Sequence, residues 1–319
     1  MTTVEPLKSP YPYFGGKLRV AAEIWRRFGD VPNFVDAFCG SLAVPLARPH
    51  EPGIETVNDK DHFVSNFWRA VQADPDAVAT YADYPVIETD LEARHYWLVT
   101  VGLETLRNMS GDADAYDAKI AGWWCWGACS WIGSGWCSGE GPWQVTENGW
   151  ELRNAGKGVN RKLPHLGDAG KGVDLYLRQL CKRLSKVRVA CGNWTRVLTP
   201  SVTFRHGMTG ILLDPPYGEG ELDYAAGGNK CTGITSDVRA WAIENGTNPL
   251  LRIALCGYEG QHDMPSDWTV HEWKAAGGYS STAAEETQGQ LNRHRERVWF
   301  SPACLSIEQT SLFGIEVSA

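Results

Sequence analysis

The tetrapeptide Asp214-Pro215-Pro216-Tyr217 directly follows the apolar run Gly-Ile-Leu-Leu, which predicts a β-strand. The two prolines exclude helix, so the backbone should leave the strand in an extended turn whose carbonyl groups are not used by the sheet. Asp214 would supply a hydrogen-bond acceptor, Pro215 a carbonyl oxygen and Tyr217 a flat aromatic face. Two acceptors and a stacking ring suit an exocyclic amino group on a planar heterocycle. A simple loop is the alternative interpretation.

Two other segments have residue types that suit a nucleotide-like ligand. The small-residue turn Cys39-Gly40-Ser41 follows a predicted strand that ends near Phe38, and such a turn lets a ligand approach the backbone. Asn58-Asp59 ends the next predicted strand, where a carboxylate can accept hydrogen bonds from ribose hydroxyls. Each segment alone is also compatible with an ordinary turn. Their order along the chain, together with Asp214, favours one shared site.

Four motifs in this order resemble the Dam-like class of S-adenosylmethionine-dependent adenine-N6 DNA methyltransferases, especially its phage-type members. The resemblance covers roughly residues 10 to 72 and 174 to 302. The motifs are Pro12-Tyr13-Phe14-Gly15-Gly16-Lys17, Phe34-Val35-Asp36-Ala37-Phe38-Cys39-Gly40-Ser41, Val57-Asn58-Asp59 and Asp214-Pro215-Pro216-Tyr217.

The resemblance implies an α/β protein with a Rossmann-like methyltransferase fold, in which a mixed seven-stranded sheet is closed by an antiparallel hairpin. It implies that Asp214 and the Pro215 carbonyl bind the target amine, that Tyr217 stacks on the base, and that Pro216 and Lys17 belong to the catalytic site. The residues that the resemblance places at S-adenosyl-L-methionine are Tyr13, Phe14, Gly15, Gly16, Lys17, Asp36, Phe38, Cys39, Gly40, Ser41, Asp59, Asn193 and Asp214.

The sequence departs from the family pattern at three of these positions. Cys39 and Ser41 stand where glycine is frequent, and Asn193 stands where an acidic residue often contacts the cofactor adenine. We expect the amide oxygen of Asn193 to accept a hydrogen bond from the adenine amine in place of the carboxylate. The departures bear on cofactor affinity more than on the reaction.

The implied reaction is in-line transfer of a sulfonium methyl group to N6 of adenine in DNA, after the base has flipped out of the duplex. The amine is the nucleophile and the leaving group is a neutral thioether, so neither a covalent enzyme intermediate nor a metal is required. Three alternatives remain open. They are transfer to N4 of cytosine, a related base-modifying enzyme with another donor, and a catalytically silent DNA-binding relative.

The charge distribution indicates a surface for nucleic acid. The formal net charge of the 319 residues is −8, yet residues 151–196 contain eleven Lys or Arg and only three Asp or Glu. A basic segment in an acidic protein is typical of a face that contacts phosphates, although a solvated basic helix explains it equally well. The residues expected to contact DNA are Arg153, Lys157, Arg161, Lys162, Arg293 and Arg295.

Alternating strand and helix signals predict a catalytic core formed by residues 1–72 and 174–302, with a target-recognition region inserted at 73–173 and a tail at 303–319. Residues 123–150 contain seven of the fifteen tryptophans. Most of these should form a small aromatic core, while one or two are candidates to wedge into the duplex. In the core, a helix is predicted over about 236–244 with Ser236 as its N-cap.

The remaining signals concern cysteine and location. Nine cysteines, an odd number without an export signal, predict reduced thiols, and the cluster Cys125, Cys129 and Cys137 is better explained by buried thiols than by a metal site. The chain has no apolar run long enough for a membrane span and no secretory start. We therefore expect a monomeric, cytoplasmic protein of a bacterial or phage-infected cell, with DNA as its partner and no membrane.

Overall fold

The computed structural model describes residues 7–13, 15–109, 115–132, 135–138, 141–153, 159, 172–216, 233–274 and 294–306. Its strands are β1 Asn33–Asp36, β2 Ile54–Asp59, β3 Trp143–Thr146, β4 Gly149–Leu152, β5 Val187–Cys191, β6 Thr209–Leu213, β7 Leu251–Tyr258, β8 Thr269–Glu272 and β9 Glu296–Phe300. Its α-helices are α1 Ala21–Phe28, α2 Ala43–Leu46, α3 His62–Ala73, α4 Pro75–Ala82, α5 Glu88–Trp97, α6 Leu103–Asn108, α7 Ala118–Ser130, α8 Val173–Leu184 and α9 Ile234–Asn245.

Seven of the described strands form one mixed sheet in the order β5-β2-β1-β6-β7-β9-β8. The first five of these run parallel, and β9 pairs antiparallel with both β7 and β8. This confirms the Rossmann-like α/β fold and the seven-stranded sheet with an antiparallel hairpin that the motifs imply. Strand β6 is buried at all five positions, as expected for a central parallel strand covered on both faces.

The position of the site follows from this strand order. The chain proceeds from β1 outward to β2 and β5 on one side, and from β6 outward to β7 on the other. The carboxyl ends of the adjacent strands β1 and β6 therefore border a crevice where the order reverses, which is where open α/β sheets bind ligands. Asp36 pairs with Leu212 in this register, so Asp36 and Asp214 end neighbouring strands at the same edge.

Two apolar layers hold the sheet between helices. On one face, Trp25 and Phe28 of α1 pack with Phe34 and Leu212. On the other, Val238 and Ala242 of α9 pack with Val35, Ile211 and Ile253. Alternate residues of β1 thus enter opposite layers, and burial of both faces fixes the strand register.

The region predicted as an insertion is mainly helical where it is described, and its helices share a hydrophobic cluster with the core. Residues of α4 and α7 pack against residues of α3 and α8 in this cluster. Helix α7 contains the first tryptophans of the Trp-rich segment and is buried on nearly every side. A helix that is apolar all round lacks an amphipathic pattern, which explains why the sequence shows little periodicity there. The boundaries proposed at 72/73 and 173/174 stay predictions.

The expected aromatic core is present, since Trp124, Trp126 and Trp131 are buried. The thiols of Cys125, Cys129 and Cys137 are buried as well. In contrast, Trp150 on the β3–β4 hairpin is exposed and stays available to a partner.

One helix boundary differs from its prediction. Helix α9 begins at Ile234 after Gly233, whose left-handed backbone conformation takes the cap position. Ser236 lies within the first turn and its Oγ donates to the Gly233 carbonyl oxygen at 2.7 Å. The prediction of Ser236 as N-cap was therefore wrong, because the hydroxyl is satisfied from inside the helix.

Two absences concern only the described residues. No helix among them is both long and apolar enough to cross a membrane. Within the same residues, no group of three or more His, Cys, Asp or Glu side chains is arranged to hold a metal ion.

Helix packing gives a first test. A Cβ at Gly122 in α7 would lie 2.7 Å from the Val78 carbonyl oxygen in α4, whereas a Cβ at Gly102 would have only ordinary contacts, 3.5 Å from Trp97 at the nearest. We expect Gly122→Ala to lower the free energy of unfolding by about 1–3 kcal/mol through overpacking. Gly102→Ala should leave it unchanged or raise it by roughly 0.5 kcal/mol through helix propensity. Urea denaturation measures both, and equal stabilities would contradict the close packing of α7 on α4.

Candidate active site

A cavity of ≈ 340 Å³ opens at the carboxyl ends of β1, β2, β5 and β6. Its volume lies within the range of small-molecule sites. Predicted residues and new ones line it together: Tyr13, Gly15, Lys17, Phe38, Asn58, Asp59, Lys60, Asp61, His62, Cys191, Gly192, Asn193, Trp194, Asp214, Pro215, Pro216, Ile234 and Glu296. Of the predicted positions, Phe14 and Tyr217 lie outside the described residues.

Lys17 and Asp214 form an ion pair on the cavity wall. The Lys17 Nζ lies 2.8 Å from Asp214 Oδ2, and the lysine side chain is only 4% exposed. The same Nζ donates to the Gly15 carbonyl oxygen at 2.6 Å, across a turn in which Gly15 has a φ of 75°. Burial lowers the pKa of Lys17, but the charge and hydrogen bond of Asp214 together with other acidic neighbours leave the pKa above its ordinary value. Lys17 is therefore a fixed cation that holds Asp214.

The turn after β6 is held by helix α9. The Thr235 Oγ1 donates to the Pro216 carbonyl oxygen at 3.0 Å, so this carbonyl is already engaged. Pro215 is buried, and Asp214 is partly exposed at the cavity. The structure thus brings Asp214, Pro215 and Lys17 together as the motifs predict.

The turn after β1 is shaped by Gly40, which has a φ of 41°. Its carbonyl oxygen accepts hydrogen bonds from the Tyr11 hydroxyl at 2.9 Å and from the Trp68 indole at 3.0 Å. A Cβ at this position would come within 2.5 Å of the Tyr13 ring. Glycine is therefore required both by the backbone conformation and by the close approach of Tyr13.

The predicted ribose ligand Asp59 lies at the end of β2 and faces this turn. Its Oδ2 accepts from the Gly40 amide and its Oδ1 from the Asp61 amide, both at 2.9 Å. Asn58 joins the neighbouring strands, because its side-chain amide donates to the carbonyl oxygens of Ala37 and Gly192, both at 3.1 Å. The carboxylate is thus oriented by the backbone of two loops.

The departures at Cys39 and Ser41 are accommodated by burial, since both side chains are nearly inaccessible. Burial, with Asp59 and Asp36 nearby, raises the pKa of the Cys39 thiol well above its ordinary value. The thiol is therefore protonated and acts as a small apolar group.

The expectation for Asn193 changes in a specific way. Its Oδ1 accepts from the Thr195 amide at 3.0 Å and from the Thr195 hydroxyl at 2.9 Å, and so caps the 3-10 helix Trp194–Val197. The oxygen expected to contact the cofactor adenine is used by this cap. The amide nitrogen of Asn193 is then the group left to contact a ligand.

Several cavity residues were missed from the sequence. Trp194 stacks with Phe38 at a centroid distance of 6.2 Å, which adds an aromatic wall to the cavity. Glu296 is 4% exposed and lies at the start of β9, which is separated from β6 by β7 in the sheet. The only signal for Glu296 was its position next to the predicted strand 297–300, and nothing in its local pattern indicated a site.

Carboxyl groups crowd this end of the sheet. Burial raises the pKa of Asp36 well above its ordinary value, with Asp214 and Asp59 adding to it. Burial likewise raises the pKa of Asp59. For Asp61, burial and the neighbouring Asp59 raise the pKa to about 7. A positively charged ligand bound here would lower these pKa values again and favour the ionised form of the carboxyl groups.

The residues predicted to contact DNA are only partly described. Arg153 is exposed directly after β4, and its Nη2 lies 3.4 Å from Glu151 Oε2. Arg295 is exposed and its guanidinium lies 5.6 Å from the Tyr258 ring centroid. Lys157, Arg161, Lys162 and Arg293 lie outside the described residues.

The basic surplus of residues 151–196 is partly used inside the protein. Arg183 binds the buried Glu55 at 2.7 Å, and Arg178 binds Asp76 at 2.6 Å. These pairs join α8 to β2 and to α4. The charge available for phosphates from this segment is therefore smaller than its composition indicates.

Residues 13–105 match the model of a known family, the D12 class N6 adenine-specific DNA methyltransferases. Over these residues the chain is similar to that family. No curated protein matches the chain at a significant level. The matched residues carry Lys17, Gly40 and Asp59, and Asp214 follows beyond them on the strand next to β1.

This match supports transfer of a methyl group from S-adenosylmethionine to N6 of adenine in DNA as the activity of this protein. The cavity fits this donor. Its aromatic pair Phe38–Trp194 can hold a purine, and Asp59 can accept from hydroxyl groups.

The carboxyl cluster of the cavity gives a test by pH. An Asp61 pKa of about 7 in the folded protein, against 3.8 as its ordinary value, means that the folded state binds more protons between about pH 4 and 7. The free energy of unfolding should therefore fall as pH rises through this window. Asp61→Asn should reduce the fall by roughly 1 kcal/mol or more, since one pKa unit corresponds to about 1.4 kcal/mol.

The substitution leaves the helix cap intact, because Asn and Asp are similar N-caps and Asp61 Oδ1 accepts from the Phe63 amide. Asp74→Asn, at the cap of α4 outside the cavity, is the matched control and should keep the wild-type slope. Denaturant titrations at several pH values measure this. A slope unchanged in Asp61→Asn would show that the proton is bound elsewhere.

Proposed function

We propose that methyl transfer takes place at the Lys17–Asp214 pair, with Asp214 and the Pro215 carbonyl as the acceptors for the adenine amine. The observation that carries this proposal is the 2.8 Å ion pair on the wall of a cavity that also holds Asp59 and Phe38. It joins two motifs that lie almost 200 residues apart in the sequence. Burying a lysine costs desolvation free energy, and placing it against this carboxylate at a cavity is typical of a catalytic site.

The chain's own residues perform orientation and charge stabilisation. When bound, S-adenosylmethionine supplies an electrophilic methyl group on a sulfonium. Asp214 accepts an N–H of the amine and directs the nitrogen lone pair toward that methyl group, and its negative charge stabilises the nitrogen as positive charge develops there. Lys17 fixes the orientation of the carboxylate. Neither a nucleophilic side chain nor a metal is assigned a role.

The position of Asp214 supports base flipping before the reaction. Asp214 lines the cavity at the ends of the sheet strands and its side chain is 19% exposed, whereas the amine of a base stacked in a duplex lies inside the helix. Base flipping, which requires a few kcal/mol, brings the amine to the cavity. Tyr217, next in sequence to Pro216, is the proposed stacking partner, and the enzyme is proposed to act as a monomer.

Asp214→Ala tests the catalytic assignment. We expect transfer of a radioactive methyl group to unmethylated DNA to fall by a factor of about 10³ or more, because the amine loses its charged acceptor. Binding of S-adenosylhomocysteine, measured by calorimetry, should change by less than about fivefold, since Asp59 and the aromatic pair are intact. Glu272→Gln, an exposed carboxylate on β8, is the control. A near-wild-type rate in Asp214→Ala would refute the assignment. No label from the wild type with DNA binding retained would favour a silent relative.

Arg295 tests the DNA face, because it is exposed and next in sequence to the cavity residue Glu296. We expect Arg295→Ala to weaken DNA binding for all sequences and to reduce the slope of log K against log salt by about one, as for a lost phosphate contact. Arg178→Ala removes another exposed arginine, whose guanidinium binds Asp76 of α4, and should keep the wild-type slope. Titrations at several salt concentrations decide, and equal slopes for Arg295→Ala and wild type would remove Arg295 from the interface.

A further inference from the structure

Four neighbouring strands bring ionisable groups to one place beside the cavity. Asp36 ends β1, Asp214 follows β6, Cys256 lies in β7 and Glu296 begins β9. These strands are consecutive in the sheet, in the order β1-β6-β7-β9. The register staggers them along the strands, because Asp36 pairs with Leu212, two residues before Asp214, and Glu296 pairs with Tyr258, two residues after Cys256. They still come from neighbouring strands, although up to 260 residues separate them in the sequence.

Lys17 is the cation that faces this group. Its ammonium binds Asp214 at 2.8 Å and the Gly15 carbonyl oxygen at 2.6 Å, and lies 5.8 Å from the Trp273 ring centroid. Glu296 is 4% exposed and lines the same cavity as Lys17 and Asp214. Burial lowers the pKa of Lys17, while the carboxyl groups of Asp214 and Glu296 raise it.

The proposed reaction creates a problem for this lysine. The methylated amine carries a positive charge until one N–H proton leaves, and Asp214 is the acceptor that already holds that N–H. When the proton moves to Asp214, the carboxylate becomes neutral and no longer balances Lys17. A buried cation without a counter-charge is strongly unfavourable.

We propose that Glu296 is a positioning residue that keeps a counter-charge on Lys17 while Asp214 holds the proton from the methylated amine. The inference rests on the proposed role of Asp214. No bond to Glu296 forms or breaks: the N–H bond of the amine breaks, an O–H bond forms on Asp214, and the proton then passes to solvent. With Glu296 in place, the Lys17 side chain keeps its orientation through this step and is ready to hold Asp214 again.

The other described groups near Lys17 do not suit this task. Burial, together with Asp214 and Asp59, raises the pKa of Asp36 well above its ordinary value, and its Oδ1 already accepts from the Phe38 amide, so Asp36 is a weaker counter-charge than an ordinary carboxylate. Burial also raises the pKa of the Cys256 thiol well above its ordinary value, so Cys256 is neutral. Within the described part of the cluster, Glu296 is the second carboxyl group that remains to balance Lys17.

Glu296→Gln tests the proposal, with two matched variants. Glu259→Gln removes an exposed carboxylate directly after β7, where Glu259 pairs with Arg297 at 3.2 Å. This variant should behave as wild type. Glu296→Asp keeps the charge and should recover most of the rate lost in Glu296→Gln. We expect Glu296→Gln to slow single-turnover methyl transfer by about tenfold or more, because Asp214 cannot take the proton without exposing an unbalanced cation. Binding of S-adenosylhomocysteine should stay within about twofold of wild type.

The Lys17→Met background separates this role from a structural one. Without the cation, a second buried carboxylate has nothing to balance, so adding Glu296→Gln should cause no further loss of rate and should raise the melting temperature relative to Lys17→Met alone. Equal slowing by Glu296→Gln in both backgrounds would indicate a structural role and overturn the proposal. A wild-type rate in Glu296→Gln would overturn it as well. Failure of the proposed function has a different signature, which is a wild-type rate in Asp214→Ala.

Discussion

The buried ion pair between Lys17 and Asp214 is the contact on which the site depends, because it fixes the segment before α1 against the end of β6. A lysine that is 4% exposed requires a counter-charge, and its partner leaves the sheet at the point where the strand order reverses. The segment that carries Lys17 is itself anchored upstream. Tyr11 donates to the Gly40 carbonyl oxygen and packs edge-on against Phe67 and Trp124.

This anchoring links the predicted insertion to the chemistry. Trp124 lies in α7, and the Cys129 thiol of the same helix donates to the Pro10 carbonyl oxygen at 3.4 Å. Helix α7 thus contacts the segment that leads to Lys17, and its almost completely buried surface serves this packing. The tryptophans of α7 stabilise the wall of the active site, whereas the exposed Trp150 lies on a separate hairpin.

The electrostatics of the site follow from the same geometry. Parallel strands that end at one edge bring carboxyl groups together, and burial there raises the pKa values of Asp36, Asp59 and Asp61. Burial favours the neutral form of these acids, whereas Lys17 keeps the Asp214 carboxylate oriented at the cavity. The proposed acceptor of the target amine is therefore the carboxylate with a cation beside it.

The sequence by itself determined the sheet and its central chemistry. The apolar runs before Asp214 and Asp59, with prolines and small residues after them, predict strands that end at a ligand site, because both faces of a parallel strand are buried. It also predicted the aromatic core, from the tryptophan-rich segment 123–150. The resemblance to the methyltransferase family came from four motifs in a fixed order. The sequence did not show where Glu296 and Trp194 lie, because each reaches the cavity from a strand or turn that is distant in sequence. Only the tertiary structure decided that the Asn193 oxygen caps a turn, that Ser236 lies inside its helix and that α7 supports Lys17. Those outcomes depend on which groups are in contact in the folded chain, and local sequence patterns do not specify such contacts.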